Sequence, residues 1–194
     1  MITSKQDLYF YITSDMQRNI NVDRMSILNW VKHRYGLFIG RDSDLAFNLL
    51  KSLRRLEYAQ NCLRLKSLWG KFLYRYYLTR FARLSYKYGV RLFPNTIGYG
   101  LRLPHIVGGG IILNCKSMGN NCVVNCDVVV GNKNTQDEKP TIGNNVNITT
   151  GCRLIGNIYV GDGSMVAPNS VVVRDVPSNV IVSGIPAKYL KSRE

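Results

Sequence analysis

The chain holds two histidines, and one of them, His105, lies in the run IGYGLRLPHIVGGGIILN, residues 97–114. A titratable ring behind a proline, ahead of three glycines and inside an apolar stretch invites a chemical reading. An imidazole of ordinary pKa, about 6.5, takes up and returns a proton near neutrality. A lone histidine can equally do no more than satisfy a turn carbonyl. The other histidine, His33 in WVKHRYG, falls on an expected helix and reads as a surface or packing residue. The five cysteines, Cys62, Cys115, Cys122, Cys126 and Cys152, form no paired CxxC elements and suit reduced thiols of a cytoplasmic protein.

The elements that must position His105 divide into two halves with different grammar. Residues 1–90 read as a helical region. Asp23 is expected to cap a short helix carrying Met25, Ile27, Leu28 and Val31, closed by Gly36. A second helix is expected from Ser43, with Ala46, Leu49, Leu50, Leu53 and Leu56 at helical spacing. A third runs through KFLYRYYLTRFARLSYKYG, where Leu73, Tyr77, Phe81, Leu84 and Tyr88 make one stripe and Gly89 stops it. Much of the net charge of +14 lies here: Arg54, Arg55, Arg64, Lys66, Lys71, Arg75, Arg80, Arg83, Lys87 and Arg91 are opposed in that window only by Glu57. Interleaved with Trp69, Phe72, Tyr74, Tyr76, Tyr77 and Phe81, this is the composition of a helix that lies on an anionic membrane surface. It is also that of a solvated basic face on a helix packed in an oligomer. No recognised motif accompanies the charge that would point to nucleic acid. No apolar run reaches the roughly 18 residues needed to cross a bilayer, and MITSKQDLYF does not read as a secretory signal.

Residues 91–194 follow a period of six. From Ile142 the blocks are IGNNVN, ITTGCR, LIGNIY, VGDGSM, VAPNSV and VVRDVP, each opening on an aliphatic residue: Ile142, Ile148, Leu154, Val160, Val166 and Val172. Blocks opening on Met118, Val124 and Val130 keep phase with one another, and extending that phase back reaches Ile112. The fifth place is mostly small or β-branched: Cys122, Val128, Val146, Cys152, Ile158, Ser164 and Ser170. Neither helical spacing nor strand alternation sustains this period. A stacked solenoid does, with each block forming one wall of a prism, the aliphatics inside and glycine or asparagine at the corners. Cys122 and Cys152 then belong to the core.

These residues resemble the hexapeptide-repeat acyltransferases, whose domain is a left-handed parallel β-helix. Within that superfamily, IGYGLRLPHIVGGGIILN is similar to the segment of serine O-acetyltransferases in which a glycine-flanked histidine follows an IGxG turn. DVPSNVIVSGIPAKYL, residues 175–190, resembles their closing segment. The likeness covers about residues 88–191. It implies an acetyl-CoA-dependent O-acetyltransferase without metal, in which His105 is the general base. The glycines beside it would let backbone approach the thioester, and a backbone N–H would stabilise the oxyanion. The resemblance also implies that CoA lies between neighbouring β-helices of a trimer, lined here by Thr150, Gly151, Ala167, Ala187 and Lys188. Zinc β-helix carbonic anhydrases share the architecture but need three histidines, more than this chain holds.

Two departures from the serine enzymes alter what the resemblance implies. Arg91 in YGVRLFP stands where their histidine-pairing aspartate falls, and Lys139 in DEKPTIG stands where they carry a second histidine. The altered pattern, with the short loop GNKNTQDEKP, resembles a subset associated with bacterial surface polysaccharides. The expected acceptor is therefore a carbohydrate hydroxyl, on a lipid or nucleotide carrier, contacted by Arg91, Asn132 and Lys139. A backbone carbonyl or the loop acids Asp137 and Glu138 would orient His105. Serine O-acetylation is the alternative within the class. A non-catalytic β-helix serving assembly or membrane docking is the alternative outside it. The helical half is expected to cap the prism or to pair trimers.

Overall fold

The computed structural model describes residues 1–64 and 67–193; Lys66 of the basic run lies outside them. Helices α1 (Lys5–Ile20), α2 (Ile27–Phe38), α3 (Asp42–Tyr58) and α4 (Leu68–Tyr88) come first, with a π-helical turn at Ala59–Leu63 after α3. A capping box starts helix α1: Ser4 Oγ accepts from the Asp7 N–H while Asp7 Oδ2 accepts from the Ser4 N–H. Helix α2 departs from expectation at both ends. Ser26, not Asp23, is its cap and accepts from the Asn29 N–H. Gly36 lies inside the helix, because a Cβ there would sit 2.0 Å from Asp44 Oδ2 and bar the close approach of α3. The face of α2 expected to pack, Ile27, Leu28 and Val31, is exposed.

Helix α3 supplies the centre of the helical half. Leu45, Ala46, Leu49, Leu50, Leu53 and Leu56 are all buried, on the spacing the sequence shows. Fully burying each of these leucines contributes about 1.5–3 kcal/mol. Helix α4 is capped by Ser67, packs Phe81 and Tyr88 into the core with Tyr77 and Leu84 beside them, and stops at Gly89 with φ +67°.

The chain then winds through three parallel walls. Wall one holds β1 (Val90–Leu92), β2 (Ile111–Leu113), β5 (Val128–Gly131), β8 (Arg153–Ile155) and β11 (Val171–Val172). Wall two holds β3 (Ser117–Met118), β6 (Thr141–Ile142) and β9 (Tyr159–Val160), extended by single bridges from Ile97 and Val176. Wall three holds β4 (Val123–Val124), β7 (Asn147–Ile148), β10 (Met165–Val166) and β12 (Val180–Gly184), against which β13 (Ala187–Ser192) turns back antiparallel. Each wall is a stack of six-residue blocks, one from each coil. The opening aliphatics from Met118 to Val172 and the fifth-place residues all point inward and are buried. Asn121, Asn145, Asn169 and Asn179 take the corners at φ between 55° and 57°, a conformation asparagine tolerates. Cys115 and Cys122 are core groups whose thiols burial pushes up to about 11, so they stay protonated and pack.

The phase extended back to Ile112 slips by one place. Ile112 faces outward, in register with Arg91 and Val129, while Ile111 and Leu113 point inward. The turn from Leu113 to Met118 is one residue shorter than a full repeat, which shifts everything before it.

Two devices lock the helices to the first coil. Arg54 of α3 is fully buried; its Nε donates to Asp15 Oδ2 of α1 at 2.8 Å, and its Nη atoms donate to Glu57 and to the carbonyls of Ile97 and Gly98. Asp15 and Glu57 accept in turn from the N–H groups of Gly100 and Asn95. Burial alone would discharge the guanidinium, but the two carboxylates beside it hold it protonated. Secondly, Asn19 bonds the Leu101 carbonyl and the Leu103 N–H.

Candidate active site along one edge of the prism

His105 lies on the connection that leaves wall three at Arg102 and enters wall one at Ile111. Its side chain is 65% exposed, while Leu103 and Ile106 on either side are buried and hold the loop down. Later coils turn from wall three to wall one at the same edge, and the groups there stack in contact. Gly109 packs on Cys126 and Asp127 so closely that a Cβ would lie 3.0 Å from the Asp127 nitrogen. The Gly151 N–H donates to the Cys126 carbonyl at 3.3 Å, and the Asn169 N–H to the Thr150 carbonyl at 2.9 Å. At the end of the column the Gly184 N–H donates to Ser170 Oγ at 3.1 Å. Thr150 and Lys188 are exposed and Gly151, Ala167 and Ala187 half-buried. One edge therefore carries His105, Thr150, Gly151 and Ala167, and at its far end Ala187 pairs with Gly184, with Lys188 next to it on β13 in wall three. The side chains of this edge are mostly small, so backbone groups are open to a long, thin ligand.

Of the acceptor-side candidates, Arg91 lies beside this edge, whereas Asn132 and Lys139 do not gather with it. Arg91 points outward from wall one and lines a cavity of about 600 Å³ with Tyr86, Gly109, Gly110, Asp127 and Val129. Asn132 and Lys139 lie between walls one and two, at the next edge of the prism. There Asn132 accepts from Asn114 at 3.4 Å, and the Lys139 N–H closes a turn on the Asp137 carbonyl. Glu138 is used in the same loop, accepting from the Asn134 N–H. The loop acids thus do not orient His105 within the chain.

The acid near His105 comes instead from the helical half: Asp42 Oδ2, in the first turn of α3, lies 3.7 Å from His105 Nδ1. The sequence offers no signal for this. Asp42 reads there as an ordinary first-turn acid, and only the docking of α3 on the first coil brings it to the histidine. His33 proves to be a packing residue; its Nδ1 meets Asp44 at 2.6 Å and its ring stacks edge-on against Phe47.

No family model matches the chain. It is 35% identical over 117 residues to serine acetyltransferase 2 of Arabidopsis thaliana, covering 58% of this chain and 36% of that protein. A serine acetyltransferase of Synechococcus elongatus is 34% identical over 106 residues, covering 53% of this chain and 43% of the relative. That of Buchnera aphidicola from Acyrthosiphon pisum is 29% identical over 191 residues, covering 89% and 65%. The chain spans less than half the length of the first two. Among solved structures, serine acetyltransferase of Neisseria gonorrhoeae in complex with serine superposes with a TM-score of 0.68 at 26% identity, over 96% of this chain and 70% of that one. A serine acetyltransferase complex with CoA gives 0.64 at 20% identity, covering 96% and 71%, a likeness of fold. The chain thus has the fold of hexapeptide-repeat acyltransferases. Within that class, its similarity is to the serine acetyltransferases.

These findings correct the expectation of a carbohydrate acceptor and of a role in surface-polysaccharide synthesis. That expectation rested on the loss of an acid at Arg91 and of a histidine at Lys139. The relatives found are serine acetyltransferases, and the site is not stripped of carboxylates, because Asp42 supplies one beside His105.

Proposed function

We propose that the chain is an acetyl-CoA-dependent O-acetyltransferase acting on the hydroxyl of serine, built as a left-handed β-helix and working as a trimer. The observation that carries the reading is His105, exposed with a carboxylate behind its ring, at the head of an edge whose small residues leave backbone open. In this reading the imidazole takes the proton of the serine hydroxyl as its oxygen bonds to the thioester carbonyl carbon. The tetrahedral oxyanion is met by a backbone N–H of the Gly108–Gly110 turn. The C–S bond then breaks, and the imidazolium returns the proton to the CoA sulfur. Thr150, Gly151, Ala167 and Ala187 line the path of CoA through backbone groups, with Lys188 as a mobile charge for its phosphates. A flat-walled prism forms a groove only against another prism. We therefore place Asn132 and Lys139 of a neighbouring subunit opposite His105, with Arg91 closing the acceptor side.

Acetyl-CoA and L-serine should together release free CoA thiol, with the acetyl group on the serine oxygen by mass spectrometry. Thiol release that ignores serine but follows another acceptor would remove the substrate assignment.

We propose a second role for α4, a contact with an anionic bilayer. Among the described residues, no helix is long and apolar enough to cross a membrane. Helix α4 nonetheless exposes Leu68, Trp69, Phe72 and Tyr76, with Lys71, Arg75, Arg83 and Lys87 among them and no acid along its length. Aromatics at headgroup depth and cations on lipid phosphate are complementary to such a surface. Phosphatidylserine vesicles should pellet the protein at low salt and release it at high salt. Failure to pellet at low salt, or a change in oligomer size alone when Trp69 and Phe72 become alanine, would assign this face to subunit contact.

A further inference from the structure

A ring 65% exposed, on a loop that ends in three glycines, has no packing to choose its orientation or its tautomer. A general base needs both chosen: one nitrogen must face the acceptor hydroxyl with its lone pair free, so the other must carry the proton. The expected source of that choice, an aspartate on the first strand of wall one, is Arg91 in this chain. We propose that Asp42 is the positioning residue for His105, holding the proton on Nδ1 and turning Nε2 toward the acceptor. The inference rests on His105 being the general base.

Asp42 is held in place through its neighbours. Asp44, two residues further along the same first turn of α3, is buried; its Oδ1 meets His33 Nδ1 at 2.6 Å and its Oδ2 meets Arg41 Nε at 3.0 Å. Gly36 lets α2 lie directly on that carboxylate, and the Arg41 N–H donates to the Gly36 carbonyl at 2.8 Å. The start of α3 is thereby pinned on two sides, while the Arg54 network pins its far end to the turn before the His105 loop. With Asp44 turned inward, Asp42 is the carboxylate of this turn that faces the β-helix. Its one ion-pair contact among the described residues is His105. At 3.7 Å the pair is longer than a hydrogen bond, and it is of the kind that shortens when substrate orders the site. A carboxylate at Nδ1 stabilises the Nδ1–H tautomer and the imidazolium that forms as the hydroxyl loses its proton. The two acids of this helix turn thus divide the work: Asp44 builds the fold and Asp42 serves the site.

The chain's two histidines make the test direct, since 15N-histidine NMR of the intact protein gives one set of ring signals for each. Neutral His105 should be predominantly Nδ1-protonated in the wild type. Asp42→Asn should move it toward the Nε2–H form, and Asp42→Glu should restore it. An unchanged His33 ring signal would certify that the α2–α3 contact survives each substitution. In turnover, Asp42→Asn should lower kcat about tenfold, in the range of residues that orient a functional imidazole, with serine KM changed less than about twofold. The proposal is overturned if the His105 tautomer is the same in wild type and Asp42→Asn. It is equally overturned if the substitution raises serine KM and leaves kcat alone, for the carboxylate would then hold the acceptor's ammonium. The tautomer measurement needs no substrate, so it decides the role of Asp42 even if serine proves not to be the acceptor.

Discussion

Replacing His105 with alanine should abolish acetyl transfer, lowering kcat by at least about 10³-fold while the protein stays folded and its oligomer unchanged. Both halves of this outcome follow from the site. General acid–base catalysis by one side chain is worth about 10²–10⁴ in rate, and in the proposed mechanism the same imidazole serves twice, removing the proton from serine and returning it to sulfur. The side chain is 65% exposed and its ion-pair partner, Asp42, is itself partly exposed, so its loss opens the site to solvent and strands no buried group among the described residues. Leu103 and Ile106 keep the loop anchored without it. Steady-state turnover with acetyl-CoA and serine, beside circular dichroism and sedimentation, checks the two halves together. Turnover within about threefold of wild type would remove His105 from the reaction.

The solenoid was legible because its geometry repeats in register with the sequence. Each wall needs an inward aliphatic and a small inward residue at a corner, so the constraint recurs every six positions from Met118 to Val130 and again from Ile142 to Val172, on either side of the loop 131–140. The period slips at Ile112, where a single turn loses a residue. The helical half was less legible. Spacing marks α3 and α4, whose stripes meet a core, but α1 is started by a capping box and buries little apolar surface. In α2 the apolar face that spacing marks is exposed, and the residues that fix it are His33 and Gly36, meeting Asp44. The site divides in the same way. His105 and the edge that carries Thr150, Gly151 and Ala167 follow from the period, since every third block returns to one edge. Asp42 follows from nothing local, because it reaches His105 only through the packing of α3 on the first coil. Reading Arg91 as the loss of a carboxylate therefore pointed to the wrong acceptor class.

That packing depends on Arg54, and Arg54→Ala should be the most destabilising single substitution in the helical half. The guanidinium is fully buried between Asp15 and Glu57, which are 0% and 2% exposed, and it lies 5.0 Å from the Tyr11 ring centroid. Removing it strands two carboxylates and the carbonyls of Ile97 and Gly98 without their donor. Breaking a buried ion pair from one side costs about 3–5 kcal/mol, a large part of the total stability of a domain. For a chain of this length that corresponds to a fall in Tm of about 6–20 °C, measured by thermal denaturation. Arg54→Lys should recover little, since a single ammonium cannot span α1, α3 and the first coil as a planar fork does. The same substitution ties stability to catalysis. The carbonyls of Ile97 and Gly98 join α3 to the coil that leads into the His105 loop, so at temperatures where Arg54→Lys remains folded its kcat should also fall. That loss should not be additive with the loss from Asp42→Asn, because both act through the contact between α3 and His105. Additive losses would mean that Arg54 supports the fold alone and that the helical half does not position the histidine through it.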